Sequence, residues 1–184
     1  MKNLVLISLI LLPNIGLSES TNCSQPIKKH QLCLGDDVQF EDVVVSEAYE
    51  GLVLNPIFQG REITSALVAV DRNEFSSDLT AEESVKEDLS KEVDELIENA
   101  KQNGELQRLT LSSIETFEVR DGFAAVFFFC FSFNEDETCS TISKLNSKEK
   151  SFKMWTDFGF KLAQNDAIEL QSSIFSQLEP TEDI

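Results

Sequence analysis

Along the chain the spacing of apolar residues changes several times, and each change marks an element. Arg61 to Asp71 reads REITSALVAVD, apolar and β-branched without clean alternation, as expected of a strand buried on both faces. Thr80-Ala-Glu-Glu83 then has the form of a capping box, in which the threonine hydroxyl and Glu83 satisfy each other's backbone N–H groups. A helix follows, with Val85, Leu89, Val93, Leu96, Ile97 and Ala100 on one face at intervals of three and four. Glu82–Lys86 and Glu87–Lys91 pair along its outside, and Asn103-Gly104 supplies the stop. Leu109 to Val119 switches parity at Ile114 and predicts a strand with a bulge.

Asp121-Gly122 sits between two strand-like runs and predicts a hairpin, because glycine accepts the positive φ of a type I′ turn. The returning strand, Phe123 to Phe133, carries Phe123, Phe127, Phe129, Phe131 and Phe133 on its odd positions. Its even positions are also mostly apolar, which places it inside a sheet. Arg120-Asp121 and Asn134 to Glu137 flank it as charged gatekeepers against aggregation. Phe152, Trp155, Phe158 and Leu162 have roughly helical spacing and predict a second helix over 147–163, with a last strand over Ala167 to Phe175.

The resulting order is strand, helix, strand, hairpin strand, helix, strand. It predicts an α+β fold, a ferredoxin-like βαββαβ sandwich whose four-stranded antiparallel sheet carries both helices on one face, above the phenylalanines. Gly51, Pro56 and Gly60 punctuate the segment before Phe58, so residues 19–57 read as an acidic N-terminal arm with little regular structure. The domain proper runs over 58–178, followed by a polar tail at 179–184.

Residues 1–18 predict a secretory signal peptide: Lys2, an apolar run from Leu4 to Leu12, Pro13, then small residues at Gly16 and Ser18. The run is too short to span a bilayer, and no later stretch is longer, so no membrane anchor is expected. The whole chain of 184 residues has 33 acidic side chains against 15 Lys and Arg, a formal charge of −18. That excess argues against nucleic acid as a partner, since phosphate binding needs a basic surface. A hydrophobic fraction of 41% with fourteen Phe is enough for a core, so the acids do not signal disorder.

Four cysteines, Cys23, Cys33, Cys130 and Cys139, remain in an oxidising compartment and predict two disulfides. Cys23–Cys33 with Cys130–Cys139 is favoured because each closes a short loop, although spacing alone leaves crossed links open. Asn22-Cys23-Ser24 is a glycosylation sequon at Asn22. No Cys-x-x-Cys pairs exist for zinc, and the one histidine, His30, reads as an exposed side chain of the arm with no triad to join. Asp36, Asp37, Glu41 and Asp42 offer oxygens for weak, diffuse calcium association, although a solvated acidic face is the favoured account of them. Trp155 and the phenylalanine run read as core rather than as a carbohydrate platform.

From about Phe58 to Phe133 the chain resembles the SEA module of mucins, agrin and enteropeptidase. The likeness rests on Ile57-Phe58-Gln59-Gly60-Arg61-Glu62-Ile63, on Asp78-Leu79-Thr80 ahead of an acidic helix, and on the Arg120-Asp121-Gly122 hairpin. Many SEA modules cleave themselves at a Gly-Ser-Val-Val-Val turn. Here Gly122-Phe123-Ala124-Ala125-Val126 stands in that place, and Phe123 has no hydroxyl to attack with, so the resemblance implies an uncleaved member. The expectation is a secreted, acidic, non-catalytic protein without a cofactor, structural or interacting in an extracellular matrix or glycan-rich secretion. Its charge favours basic extracellular proteins, glycans or a calcium-bearing mineral surface as partners. The alternative is a secreted effector or venom component acting on a receptor through residues 19–58.

Overall fold

The computed structural model of the chain describes residues 22–24, 30–34, 39–46, 49–70, 80–119, 122–134, 136–147 and 151–180. The expected signal peptide, Asp36, Asp37 and the last four residues lie outside them. The described strands are β1 (Asn22–Cys23), β2 (His30–Leu34), β3 (Gln39–Ser46), β4 (Tyr49–Asn55), β5 (Ile57–Phe58), β6 (Arg61–Glu62) and β7 (Thr64–Val70). Helix α1 (Ala81–Gln102) and a short 3-10 turn at Leu106–Arg108 lead to β8 (Leu109–Val119), β9 (Gly122–Phe133), β10 (Asp136–Ser147) and β11 (Ser151–Asp157). Helix α2 (Gln164–Ser176) and β12 (Leu178–Pro180) complete the order.

A mixed α+β fold forms around one large antiparallel sheet of seven strands, ordered β3-β4-β7-β11-β10-β9-β8. The four-stranded ferredoxin-like sheet is therefore corrected, as is the placing of both helices on one face. Val85, Leu89 and Val93 of α1 pack on Ala125 and Phe127, from the odd positions of β9. Ala167 of α2 packs with Phe128 and Cys130, and Ile174 with Ala124, from the even positions. Successive strand residues point to opposite faces, so the two helices lie on opposite sides of the sheet. Of the odd-position phenylalanines, Phe123, Phe127 and Phe129 pack in the α1 cluster, whereas Phe133 is 57% exposed.

The segment read as an arm is built into the core. β1, β2 and β12 form a second sheet of three strands, and Leu32 and Leu34 of β2 join Leu52, Leu54, Leu67, Phe152 and Met154 in one cluster. Gly51 had read as punctuation, but it lies within β4, where a Cβ would come 2.9 Å from the Leu67 carbonyl oxygen of β7. The close approach of these strands requires the missing side chain.

After Phe133 one element was not anticipated and two expectations are corrected. The polar stretch Asp136 to Ser147 is a full strand, β10, between β9 and β11. The expected helix over 147–163 is strand β11, in which Phe152, Met154 and Thr156 are buried while Trp155 and Asp157 are exposed, a period of two. The expected strand over 167–175 is α2, with Ala167, Gln171, Ile174 and Phe175 buried at helical spacing.

Elsewhere local chemistry and fold agree. Thr80 and Glu83 form the capping box, with the Thr80 N–H and hydroxyl donating to the Glu83 carboxylate at 2.9 and 2.8 Å. These bonds, the backbone one first, hold the Glu83 carboxyl below its ordinary pKa. At the other end Gly104, at φ 71°, lets its N–H reach Lys101 O and the Glu105 N–H reach Ala100 O, the two bonds of a Schellman ending. Glu87 pairs with Lys91 at 3.1 Å, whereas Glu82 accepts from the Thr116 hydroxyl of β8 at 2.5 Å. β8 is bulged between Leu111 and Ile114, and the Ser112 hydroxyl there accepts the Phe128 N–H. β8 and β9 form the expected antiparallel pair, with Gly122 opposite Val119, and the expected Asp121-Gly122 turn lies partly outside the described residues.

Candidate functional site

On the α1 side the helix packs chiefly on β9, with β10 and β8 beside it. Beyond its edge, β11 presents Lys153 and Trp155 between the helix and the half-buried Ala66 and Val68 of β7. A groove of about 410 Å³ opens here, under the C-terminal half of α1. Leu96, Leu109, Phe131, Ile142 and Trp155 give it apolar walls, and Glu95, Asn99, Asn103 and Glu105 form its polar rim.

Lys144 and Lys153 stand directly opposite on β10 and β11, where like charges repel. Glu92 of α1 resolves this by bridging both, with one carboxylate oxygen 2.8 Å from Lys144 Nζ and the other on Lys153. All three side chains are largely sheltered, so the triad fixes the helix over the sheet more firmly than an exposed pair would. The Lys153 ammonium also lies 4.0 Å from the centre of the Trp155 ring, a cation–π contact. Trp155 is the only tryptophan and is 41% exposed, which corrects its reading as core. Strand alternation explains the miss: three-residue spacing from Phe152 looked helical, yet the two rings point to opposite faces.

No protein-family profile matches the sequence, and neither does any curated protein sequence. Among solved structures the chain is similar to the solution structure of cyanobacterial PsbP (CyanoP) from Synechocystis, with a TM-score of 0.52 over 92% of this chain and 96% of that one, at 13% identity. The fold is PsbP-like. At that identity the likeness concerns the fold alone. The crystal structure of LpqN, involved in cell envelope biogenesis of Mycobacterium tuberculosis, aligns with a TM-score of 0.37 at 14% identity, over 91% of this chain and 88% of that one.

Within this PsbP-like fold the residues singled out from sequence are scattered. Cys23–Cys33 joins β1 to β2 and Cys130–Cys139 joins β9 to β10, each between directly paired residues with Cα atoms 4.0 Å apart. Closed disulfides are what an oxidising compartment outside the cytosol maintains. Among the described residues no helix is long and apolar enough to cross a membrane. Glu137 approaches Cys130 and Cys139 closely enough to suggest a metal cluster, but bonded sulfurs are not thiolate ligands, and Glu137 pairs with Lys161 at 2.7 Å.

His30 is buried rather than exposed, edge-on to Phe152 with ring centres 5.1 Å apart. Its place on β2, which packs on the main core, explains this. Asn22 lies in β1 and Glu41 and Asp42 in β3, at the edges of their sheets, and their side chains fall outside what is described. The groove itself was missed. Its residues are drawn from α1, the turn after it and four strands, and only the paired positions of β9, β10 and β11 bring them together.

Proposed function

We propose that the chain is a secreted, non-catalytic protein with a structural or interaction role in an extracellular matrix or glycan-rich secretion, whose acidic surface favours basic proteins, glycans or a calcium-bearing mineral as partners. The observation that carries this reading is the rim of the α1 groove. Glu95 and Glu105 have no ion-pair partner among the described residues, beside an exposed tryptophan in a molecule of formal charge −18. Unpaired acids on that background create a field that attracts cations and repels acidic competitors. The signal peptide at 1–18 and glycosylation at Asn22 belong to the same proposal.

The SEA-type resemblance is carried forward for residues 58–133. The order β7, α1, β8, β9 supports it over that stretch, while the elements after Phe133 depart from the SEA plan. The effector alternative relied on a separate arm at 19–58, and β2 and β4 are instead packed into the main core. Binding of the full chain to polylysine-coated beads and to calcium carbonate particles, compared at low and physiological salt, tests the proposal. A steep fall with salt is expected, and binding indifferent to salt would remove charge as its cause.

A further inference from the structure

We infer that the groove under α1 is a cleft for an arginine side chain presented by a basic protein partner. The inference rests on the interaction reading above and names the group that the groove selects. A guanidinium differs from an ammonium in being planar, weakly hydrated and able to stack on an aromatic face while donating in parallel to carboxylates. The groove offers a counterpart to each property.

Its walls are apolar at Leu96, Phe131 and Ile142, suited to an aliphatic stem. Trp155 is partly exposed and already holds one cation, the Lys153 ammonium, against its ring, which shows what that surface attracts. Glu95 and Glu105 supply carboxylates at the rim, and the side-chain oxygens of Asn99 and Asn103 can accept as well. The end of the groove is the last turn of α1, where the helix dipole adds negative potential.

Lys153 also lines the groove, but none of the nearby bases is ion-paired with Glu95 or Glu105. Lys144 and Lys153 share Glu92, Lys101 lies 3.6 Å from Glu98, and Arg108 stacks on Phe133 with its guanidinium carbon 5.6 Å from the ring centre. Glu95 and Glu105 are thus lining carboxylates with no ion-pair partner among the described residues. A volume of about 410 Å³ falls at the lower end of the range for ligand pockets, enough for one long side chain and its flanking backbone.

Because Trp155 is the only tryptophan, its fluorescence reports on the groove directly. The full chain is titrated with the blocked peptide Ala-Ala-Arg-Ala-Ala and with the same peptide carrying lysine or neutral citrulline. Saturable change in Trp155 emission is expected with arginine, weaker with lysine, and at least about ten-fold weaker with citrulline, the loss typical of a hydrogen bond to a charged group. The variant E95Q/E105Q keeps the probe and changes only rim residues, so it should fold normally by circular dichroism and lose about ten-fold for the arginine peptide. Equal binding of arginine and citrulline peptides, or an unchanged affinity in E95Q/E105Q, overturns the inference. If no peptide perturbs Trp155 while polylysine still binds in a salt-dependent way, the cleft is refuted and the broader reading survives. Failure of both refutes both.

Discussion

Gln171 shows how one polar residue can conceal an element. It is fully buried on the inner face of α2, where the Ser143 hydroxyl donates to its side-chain oxygen and its amide donates to the Thr156 hydroxyl, each at 2.8 Å. Thr156 in turn shares a 2.8 Å hydrogen bond with Ser65, so a polar line crosses β10, β11 and β7 beneath the helix. In a pattern of apolar positions this glutamine reads as an outward residue, and the helical stripe through Ala167, Ile174 and Phe175 loses its middle. Replacing Gln171→Leu keeps the volume and removes both bonds, at an expected cost of about 1–3 kcal/mol. Urea denaturation with an unchanged slope would measure it, and a cost of only a few tenths would mean that the network is slack. Gly51 is a second residue whose role only the fold discloses, since the need to omit a Cβ arises from a strand that follows it in sequence.

Among the elements, α1 was legible from residue types because its start and stop are local chemistry: Thr80, Glu83 and Gly104 act on backbone within a few positions of themselves. The β8–β9 hairpin and the β8 bulge were legible for the same reason. β10 was not, because Thr141 and Ser143 are buried there in place of apolar residues, and the partners of the Ser143 hydroxyl, the Met154 carbonyl of β11 and Gln171 of α2, come from later in the chain. β11 and α2 were exchanged because short apolar runs fit periods of two and of 3.6 alike until neighbours choose between them. The groove residues carried no sequence signal at all, since their proximity exists only after strand pairing.

The cap of α1 also gives the fold an acid-sensitive point. Glu83 has a lowered pKa in the folded state, so its contribution is fully present above the ordinary carboxylate pKa and is lost as pH falls through the lowered value. The Thr80→Ala variant should lose about 1 kcal/mol near neutrality, read by thermal denaturation. It should also lose less than the parent between neutral and acidic pH, because the bonds that lower the Glu83 pKa are gone. An equal acid loss in both proteins would place the sensitivity elsewhere.

At the scale of the molecule, one large sheet sandwiched by α1 on one face and by α2 with the small sheet on the other explains why 41% apolar composition suffices beside so many acids. The sheet buries residues from both faces, and among its strand positions Lys144 and Lys153 are sheltered by their pairing with Glu92. The Gly122-Phe123 step continues into a regular pairing with β8 and β10, and Phe123 offers no hydroxyl nucleophile. The purified protein should therefore run as one intact chain on a denaturing, reducing gel, whereas two fragments meeting near Gly122 would contradict the uncleaved reading.

The small sheet also orders events in time. Its central strand, β2, lies near the beginning of the chain, and its partner β12 comes from the last described residues, with Leu178 opposite Leu32 and Pro180 opposite His30. A chain emerging N-terminus first holds β2 without that edge until β12 has been made. Pairing across such a separation is slow to form, because loop closure precedes any reward from contact. The β2 edge is completed only once β12 is available, and the short Cys23–Cys33 link can tie β1 to β2 during the wait.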